Sequence, residues 1–227
     1  MTYFSQLSQD QILDDKLFKR MENGVFVEVG AVDGYHFSNT VFFEKHRKWT
    51  GLCIEPNPTE FKKLKSSKRT CVKENYAIDT KESKVDFLAI DGYGKGLSGI
   101  VDKYDEKHLK RINEETKGHK SKKNFYKVKT IPLQKLFDIH GLDYIDYCSI
   151  DVEGAEFQVL NSIDFKKTYI KCFTIENNYG ASREHSLLKK NGYKLWKKVR
   201  WEEFWVRDIS YLEVLKSRII TPFFNFL

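Results

Sequence analysis

The stretch "VFVEVGAVDG" (residues 25–34) opens with an apolar run that carries one acid, Glu28, and closes on two glycines, Gly30 and Gly34. A run of β-branched and aromatic residues of this length reads as a strand buried on both faces. The glycines remove side chains where backbone would approach a ligand, and a helix beginning near Phe37 or Ser38 follows. Strand, glycine turn and helix start together describe the binding edge of an open α/β sheet, where ligands sit beyond the carboxyl ends of the strands.

The same grammar continues outward. "GLCIEP" (51–56), "TCVKENYAI" (70–78), "DYCSIDVEG" (146–154) and "KCFTIENN" (171–178) are strand-length runs, each ending in polar or glycine punctuation. Helix candidates lie between them at 38–46, 59–66, 155–162 and 182–190, so the pattern predicts a parallel sheet with right-handed crossovers. Strands at 193–196 and 203–207, joined by a short basic turn, read as a terminal antiparallel hairpin. A further pair, "KVDFLAI" (84–90) and "YKVKTIPL" (126–133), frames an insertion at about 92–126 that is expected to rise from the sheet as a lid. The whole chain, 1–227, reads as one domain.

The formal charge of +7 is unevenly spread: between Gly92 and Lys129, eleven Lys or Arg stand against five Asp or Glu. Such a segment is either a solvated face or a surface that attracts an anionic acceptor. Cys53, Cys71, Cys148 and Cys172 fall in separate apolar runs with no C-x-x-C spacing and no histidine at ligand spacing, which predicts buried thiols and excludes a zinc site. The first residues lack a basic start followed by an apolar run, and no stretch of about 18 apolar residues occurs, so a soluble, cytoplasmic protein is expected. The apolar tail at about 209–227 is expected to pack on the body, with pairing of two subunits or contact with a membrane as alternatives.

A dinucleotide fingerprint needs glycine at 30, 32 and 35, whereas this chain has Gly30, Val32 and Tyr35. Carboxylates at Glu28 and Asp33 would repel a pyrophosphate and attract a ligand with an amino group and a sulfonium centre, which favours S-adenosylmethionine. Glu55, at the end of the second strand and 25 residues beyond Gly30, is placed to accept hydrogen bonds from both ribose hydroxyls.

"SQDQIL", "FVEVGAVDGYHFSNT", "WTGLCIEPNP", "ENYAI", "LSGI" and "CSIDVEGAEFQVLNSI", in that order, resemble the FkbM-type methyltransferases, a branch of the class I S-adenosylmethionine-dependent enzymes. The resemblance implies an α/β, Rossmann-like sheet of seven mostly parallel strands, with helices on both faces. It places Glu28, Gly30, Ala31, Asp33 and Gly34 around the methionine part of the cofactor, with Ser38, Asn39 and Thr40 lining the same pocket. It also implies Glu55 and Asn57 at the ribose and Asn75 and Ala77 near adenine.

The fourth strand ends "SIDVEGAE", two residues separating Asp151 from Glu153, so both carboxylates share a face if the strand continues. Alternatively Glu153 complements the N-terminus of the following helix. "TIENNY" adds Glu176, Asn177 and Asn178 at the same edge. In methyl transfer to an aliphatic hydroxyl the proton must leave as the new bond forms, and Asp151 is the first choice of base, with Glu153 and Glu176 beside it. The oxygens also suit magnesium, which is not favoured, and His36 is a rival base. The expectation is an O-methyltransferase acting on a hydroxyl of a carbohydrate or glycan. Methylation of RNA or another polyanion is the alternative that the basic segment suggests, and a non-catalytic cofactor-binding assembly module is the alternative from another class.

Overall fold

The computed structural model describes residues 2–104, 106–177, 180 and 182–207; the tail at 209–227 and Asn178 lie outside them. In chain order the elements are α1 (Gln9–Ile12), a π-helical segment (Leu13–Leu17), β1 (Val25–Val29), α2 (Val41–Arg47), β2 (Thr50–Ile54), α3 (Pro58–Ser66), β3 (Val72–Glu74), β4 (Ala77–Ile78), β5 (Ser83–Asp91), β6 (Gly99–Ile100) and α4 (Glu106–Thr116). There follow β7 (Lys122–Ile131), α5 (Leu133–His140), β8 (Tyr144–Ile150), α6 (Glu156–Asn161), β9 (Tyr169–Glu176), α7 (Ser182–Lys190), β10 (Tyr193–Val199) and β11 (Glu202–Arg207).

Seven strands form one sheet in the order β10-β11-β9-β8-β1-β2-β3. The strands β3, β2, β1, β8 and β9 run parallel, and β11 is antiparallel to both its neighbours, as the hairpin pattern predicts. From β1 the chain builds outward to β3 and later returns to lay β8 on the other edge of β1. The switch point therefore lies between the carboxyl ends of β1 and β8.

Period-2 alternation sorts the strand residues between two cores. Val27 and Val29 pack with Leu52, Ile54 and the apolar sides of α5, α6 and α7, whereas Phe26 and Cys53 pack with Phe42, Phe43 and Leu64 of α2 and α3. All four cysteines are free and buried, with the Cys53 and Cys71 sulfurs 3.4 Å apart. Glu28 points into the second core and needs partners there, which it finds in the turn described below.

Two expectations change. The run 70–78 is not one strand: it divides into β3, at the edge of the main sheet, and β4, in a separate four-stranded sheet of order β4-β7-β5-β6. The break is pinned by Asn75, whose Nδ2 donates to the carbonyls of Glu55 (2.7 Å) and Pro56 (3.2 Å). The pair at 84–90 and 126–133 also belongs to this second sheet, where β5 and β7 pair antiparallel from Ser83↔Thr130 to Asp91↔Lys122. Against it α4 buries Ile112 with Leu88, Ile90 and Leu97. The basic segment 92–126 thus holds β6, α4 and the first half of β7. Among the described residues no helix is long and apolar enough to cross a membrane.

Candidate active site

At the switch point a cavity of about 550 Å³ opens, lined by the ends of β1, β2, β8 and β9 and by the 92–100 loop of the second sheet. Its floor is the glycine turn. Gly30 has φ +89°, and a Cβ there would lie 1.9 Å from the Asp151 carbonyl oxygen, so only glycine lets β1 and the β8 turn pass so closely. Val32 holds φ +48°, a left-handed conformation that is strained for a β-branched residue. Its N–H donates to Glu55 Oε2 at 2.8 Å, while the Asn57 N–H donates to Oε1 at 2.7 Å. Glu55 is thereby held rigidly at the cavity wall, and burial raises its pKa to about 7, against the opposing pull of those two backbone donors.

Glu28 and Asp33 have structural work in this turn. Glu28 accepts from Ser38 Oγ (3.0 and 2.9 Å), the Asn39 N–H (2.7 Å) and Thr40 Oγ1 (2.7 Å). The buried Arg69 guanidinium lies 3.6 Å from it and donates to Thr40 Oγ1 (2.9 Å) and the Gly34 carbonyl (2.7 Å), while also pairing with Glu44 at 2.6 Å. The Asp33 carboxylate accepts from the N–H groups of Tyr35 (2.9 Å) and His36 (2.8 Å); burial opposes its charge, yet these donors hold its pKa below the usual range. The sequence reading that these two acids draw in a cation is corrected for Asp33, which does not line the cavity, and for Glu28, whose charge Arg69 answers. Gly34, Thr40 and Asn75 likewise lie behind the wall, whereas Glu28, Gly30, Ala31, Ser38, Asn39, Glu55, Asn57 and Ala77 line it.

The lining fits S-adenosylmethionine. Asn39 donates through Nδ2 to Ser149 Oγ at 2.9 Å, and its buried Oδ1 has no hydrogen-bond partner among the described residues, an acceptor suited to an amino group. Glu55 offers remaining lone pairs for ribose hydroxyls, and Tyr76 and Ile78 beside Ala77 supply an apolar wall for a flat base.

The acids meet differently from the expected way. Strand β8 stops at Ile150, so Asp151 and Glu153 do not share a strand face; a turn with φ +54° at Glu153 and +105° at Gly154 carries them together. One oxygen from each of Asp151, Glu153 and Glu176 lies within 4.8 Å of the others. Asp151 opens to the cavity but is crowded by protein, and loss of water, followed by the charges of Glu176 and Glu153, raises its pKa well above the carboxylate range. Glu153 is raised as well, by burial and then by Glu176, although Arg111 of α4 approaches it at 3.6 Å. Three carboxyls so close cannot all ionise near neutral pH, so the cluster holds protons. It is also a hard-oxygen set of the kind that suits magnesium. Glu156, not Glu153, accepts from the Gly154 N–H at 3.0 Å ahead of α6. Asn177 turns away to donate to Glu203 at 2.8 Å, and His36 packs against Phe37 at the mouth, with ring centroids 4.0 Å apart and planes tilted by 37°.

Arg69, Arg111, Tyr76 and Trp201 were not legible as site residues. "SSKRT" and "LKRINEE" are ordinary basic helix and loop text, and nothing in them marks which cation is buried or aimed at an acid.

Residues 28–195 match the family model described as the methyltransferase FkbM domain. No curated protein sequence matches the chain. Similar solved structures include a methyltransferase FkbM from Methylobacillus flagellatus KT, at 12% identity and TM-score 0.45, covering 81% of this chain and 43% of that one. TrmK of M. capricolum, in complex with S-adenosyl-homocysteine, has 12% identity and TM-score 0.42, with coverage of 94% and 75%. A SAM-dependent methyltransferase from Aquifex aeolicus has 14% identity and TM-score 0.36, with 88% of each chain covered. The chain thus spans less than half the length of the Methylobacillus protein. Because the family match runs from the strand acid Glu28, through the glycine turn and the acid cluster, into β10, the chain belongs to the FkbM methyltransferase family.

Proposed function

We propose that this protein transfers a methyl group from S-adenosylmethionine to a hydroxyl of a sugar or glycan, with Asp151 as the base. The observation that carries this reading is the Asp151, Glu153 and Glu176 cluster on the cavity that also holds the cofactor-fitting residues. An aliphatic hydroxyl is a poor nucleophile until its proton has somewhere to go, and a carboxylate whose pKa is raised above the ordinary carboxylate range has a greater affinity for that proton. Bound S-adenosylmethionine supplies an electrophilic methyl on a sulfonium. Around it Glu55 fixes the ribose, Asn39 the amino group, and the 92–100 loop limits water. Asp151 would take the hydroxyl proton of the acceptor, while the cofactor would supply the methyl group and keep the leaving electron pair on its sulfur. The crowding of Asp151 by Glu153 and Glu176 raises its affinity for that proton.

The test is transfer of labelled methyl to a panel of glycans by the wild type and by Asp151→Asn. Turnover is expected to fall about 100-fold or more in the variant, with cofactor affinity by calorimetry changed less than about twofold. Full activity in Asp151→Asn would remove the base assignment. A second reading rests on Glu153 Oε2, which faces Arg111 at 3.6 Å, and on Glu176 Oε2; neither has a hydrogen-bond partner among the described residues, and both would accept a divalent cation. Activity lost in EDTA and restored by magnesium would assign the cluster to metal binding instead.

A further inference from the structure

Around the cavity the charge changes sign. The acid cluster forms one wall, whereas the loop after β5 brings Tyr93 and Lys95, both exposed, to the mouth. The Tyr93 ring stacks on His119 with centroids 4.0 Å apart and planes 16° from parallel, and its carbonyl accepts from Ser121 Oγ at 2.8 Å. A Cβ on Gly92 would lie 3.0 Å from the Lys120 carbonyl. These contacts hold the turn between α4 and β7, which leads through Lys120 to Lys122, beside Gly92 and Tyr93 of the mouth.

Elsewhere in the basic segment Lys103 pairs with Asp79 at 3.1 Å, Lys110 with Glu114 at 3.7 Å and Lys127 with Asp86 at 2.8 Å, whereas Lys107, Lys123 and Lys129 have no ion-pair partner among the described residues. Lys95, Lys117, Lys120 and Lys122 are exposed and have no ion-pair partner among the described residues. Even Asp91, opposite Lys122 in the ladder, is bonded by Asn124 at 2.7 Å. Lysines without an ion-pair partner among the described residues thus stand beside the entrance to a cavity whose interior is acidic, an arrangement that favours a ligand with a neutral hydroxyl at one end and negative charge nearby.

We infer that the acceptor is an anionic glycan, a sugar chain bearing carboxylate or phosphate groups, which rests on the glycan reading above. Its hydroxyl faces Asp151, its negative groups lie along Lys95, Lys120 and Lys122, and a sugar ring covers the free face of Tyr93. Single-stranded RNA fits less well, because a nucleic-acid track stacks successive bases on several rings, and here one face of Tyr93 is already taken by His119.

The experiment is fluorescence anisotropy with the S-adenosylhomocysteine-loaded protein and four labelled probes: an oligogalacturonide, a phosphorylated mannan oligosaccharide, neutral maltoheptaose and poly(U) RNA. One or both acidic glycans are expected to bind at least about tenfold tighter than maltoheptaose, and to weaken as salt rises from roughly 50 to 300 mM. The triple variant Lys95→Gln, Lys120→Gln, Lys122→Gln should weaken that binding about tenfold, whereas Lys84→Gln with Lys129→Gln, at the opposite end of the β5–β7 ladder from Lys122, should not. Unchanged S-adenosylhomocysteine affinity in both variants shows that the fold is kept. No binding of either acidic glycan up to about 1 mM, equal affinity for maltoheptaose, tighter binding of poly(U), or an indifferent triple variant would each overturn the inference. Methyl transfer to neutral glycans with no acidic preference would overturn it while leaving the proposed reaction standing; acidic binding with no transfer to any glycan would overturn the proposed reaction and with it the acceptor role.

Discussion

At Gly30 a single added methyl group meets backbone: the Asp151 carbonyl oxygen would be 1.9 Å from it. Gly30→Ala should therefore push the β8 turn outward and lower S-adenosylmethionine affinity by at least about tenfold in calorimetry, beyond any general loss of stability. Glu55 gives a prediction with a sign. In the proposed role its ionised form would accept from ribose hydroxyls, and with a pKa of about 7 it gains a proton as pH falls through neutrality, so cofactor affinity should drop between pH 8 and 6; Glu55→Gln should flatten that profile. Arg69 sits behind the same turn, against Glu28 and Glu44. Arg69→Met leaves two buried acids without their cation and should cost about 3–5 kcal/mol in urea unfolding. Of these residues, Gly30 and Glu55 were readable because glycine after a strand and an acid at a strand end each have few physical uses. Arg69 was not, since a buried arginine is defined by what surrounds it and not by its neighbours in sequence.

Among elements, the parallel strands and their helices followed from apolar run length, and the hairpin β10–β11 from its basic turn. What hydrophobic pattern does not encode is the partner of a strand, so the split of 70–78 between two sheets was hidden: both halves look equally extended. The end of β8 was hidden for a similar reason, because "SIDVEG" keeps alternating while the backbone has already turned at Glu153. The acids converge all the same, because the turn at Glu153 and Gly154 brings them together where a continuing strand would have done so by its alternation. Glu153 at φ +54° tests this directly. Glu153→Gly relaxes the turn and removes one carboxyl, whereas Glu153→Gln removes the charge alone; if the turn geometry serves Asp151, Glu153→Gly should lose more turnover than Glu153→Gln.

Over the whole molecule, buried acids set the response to pH. Burial raises Glu55 and Glu156 to about 7 and Glu202 to about 8. A carboxyl raised above its unfolded value contributes stability that is complete below about pH 4.5 and lost as pH climbs through its folded pKa. Asp33, Glu44 and Glu203 are lowered and act oppositely, losing their contribution as acid protonates them. The cofactor-free protein should thus be most stable near pH 5, and its Tm should fall by about 10 °C between pH 5.5 and 8.5 in scanning calorimetry. The strand order carries a different consequence, one of timing. Glu28 stands beside Ser149, and the Val25 N–H donates to Asp146 across 121 residues, so the floor of the cavity is a joint between distant parts of the chain. The β5–β7 ladder closes a far shorter loop. During refolding the second sheet should form early and the cofactor cavity late, so recovery of S-adenosylmethionine binding should lag behind recovery of β-structure, and the cofactor cannot template the assembly of its own site.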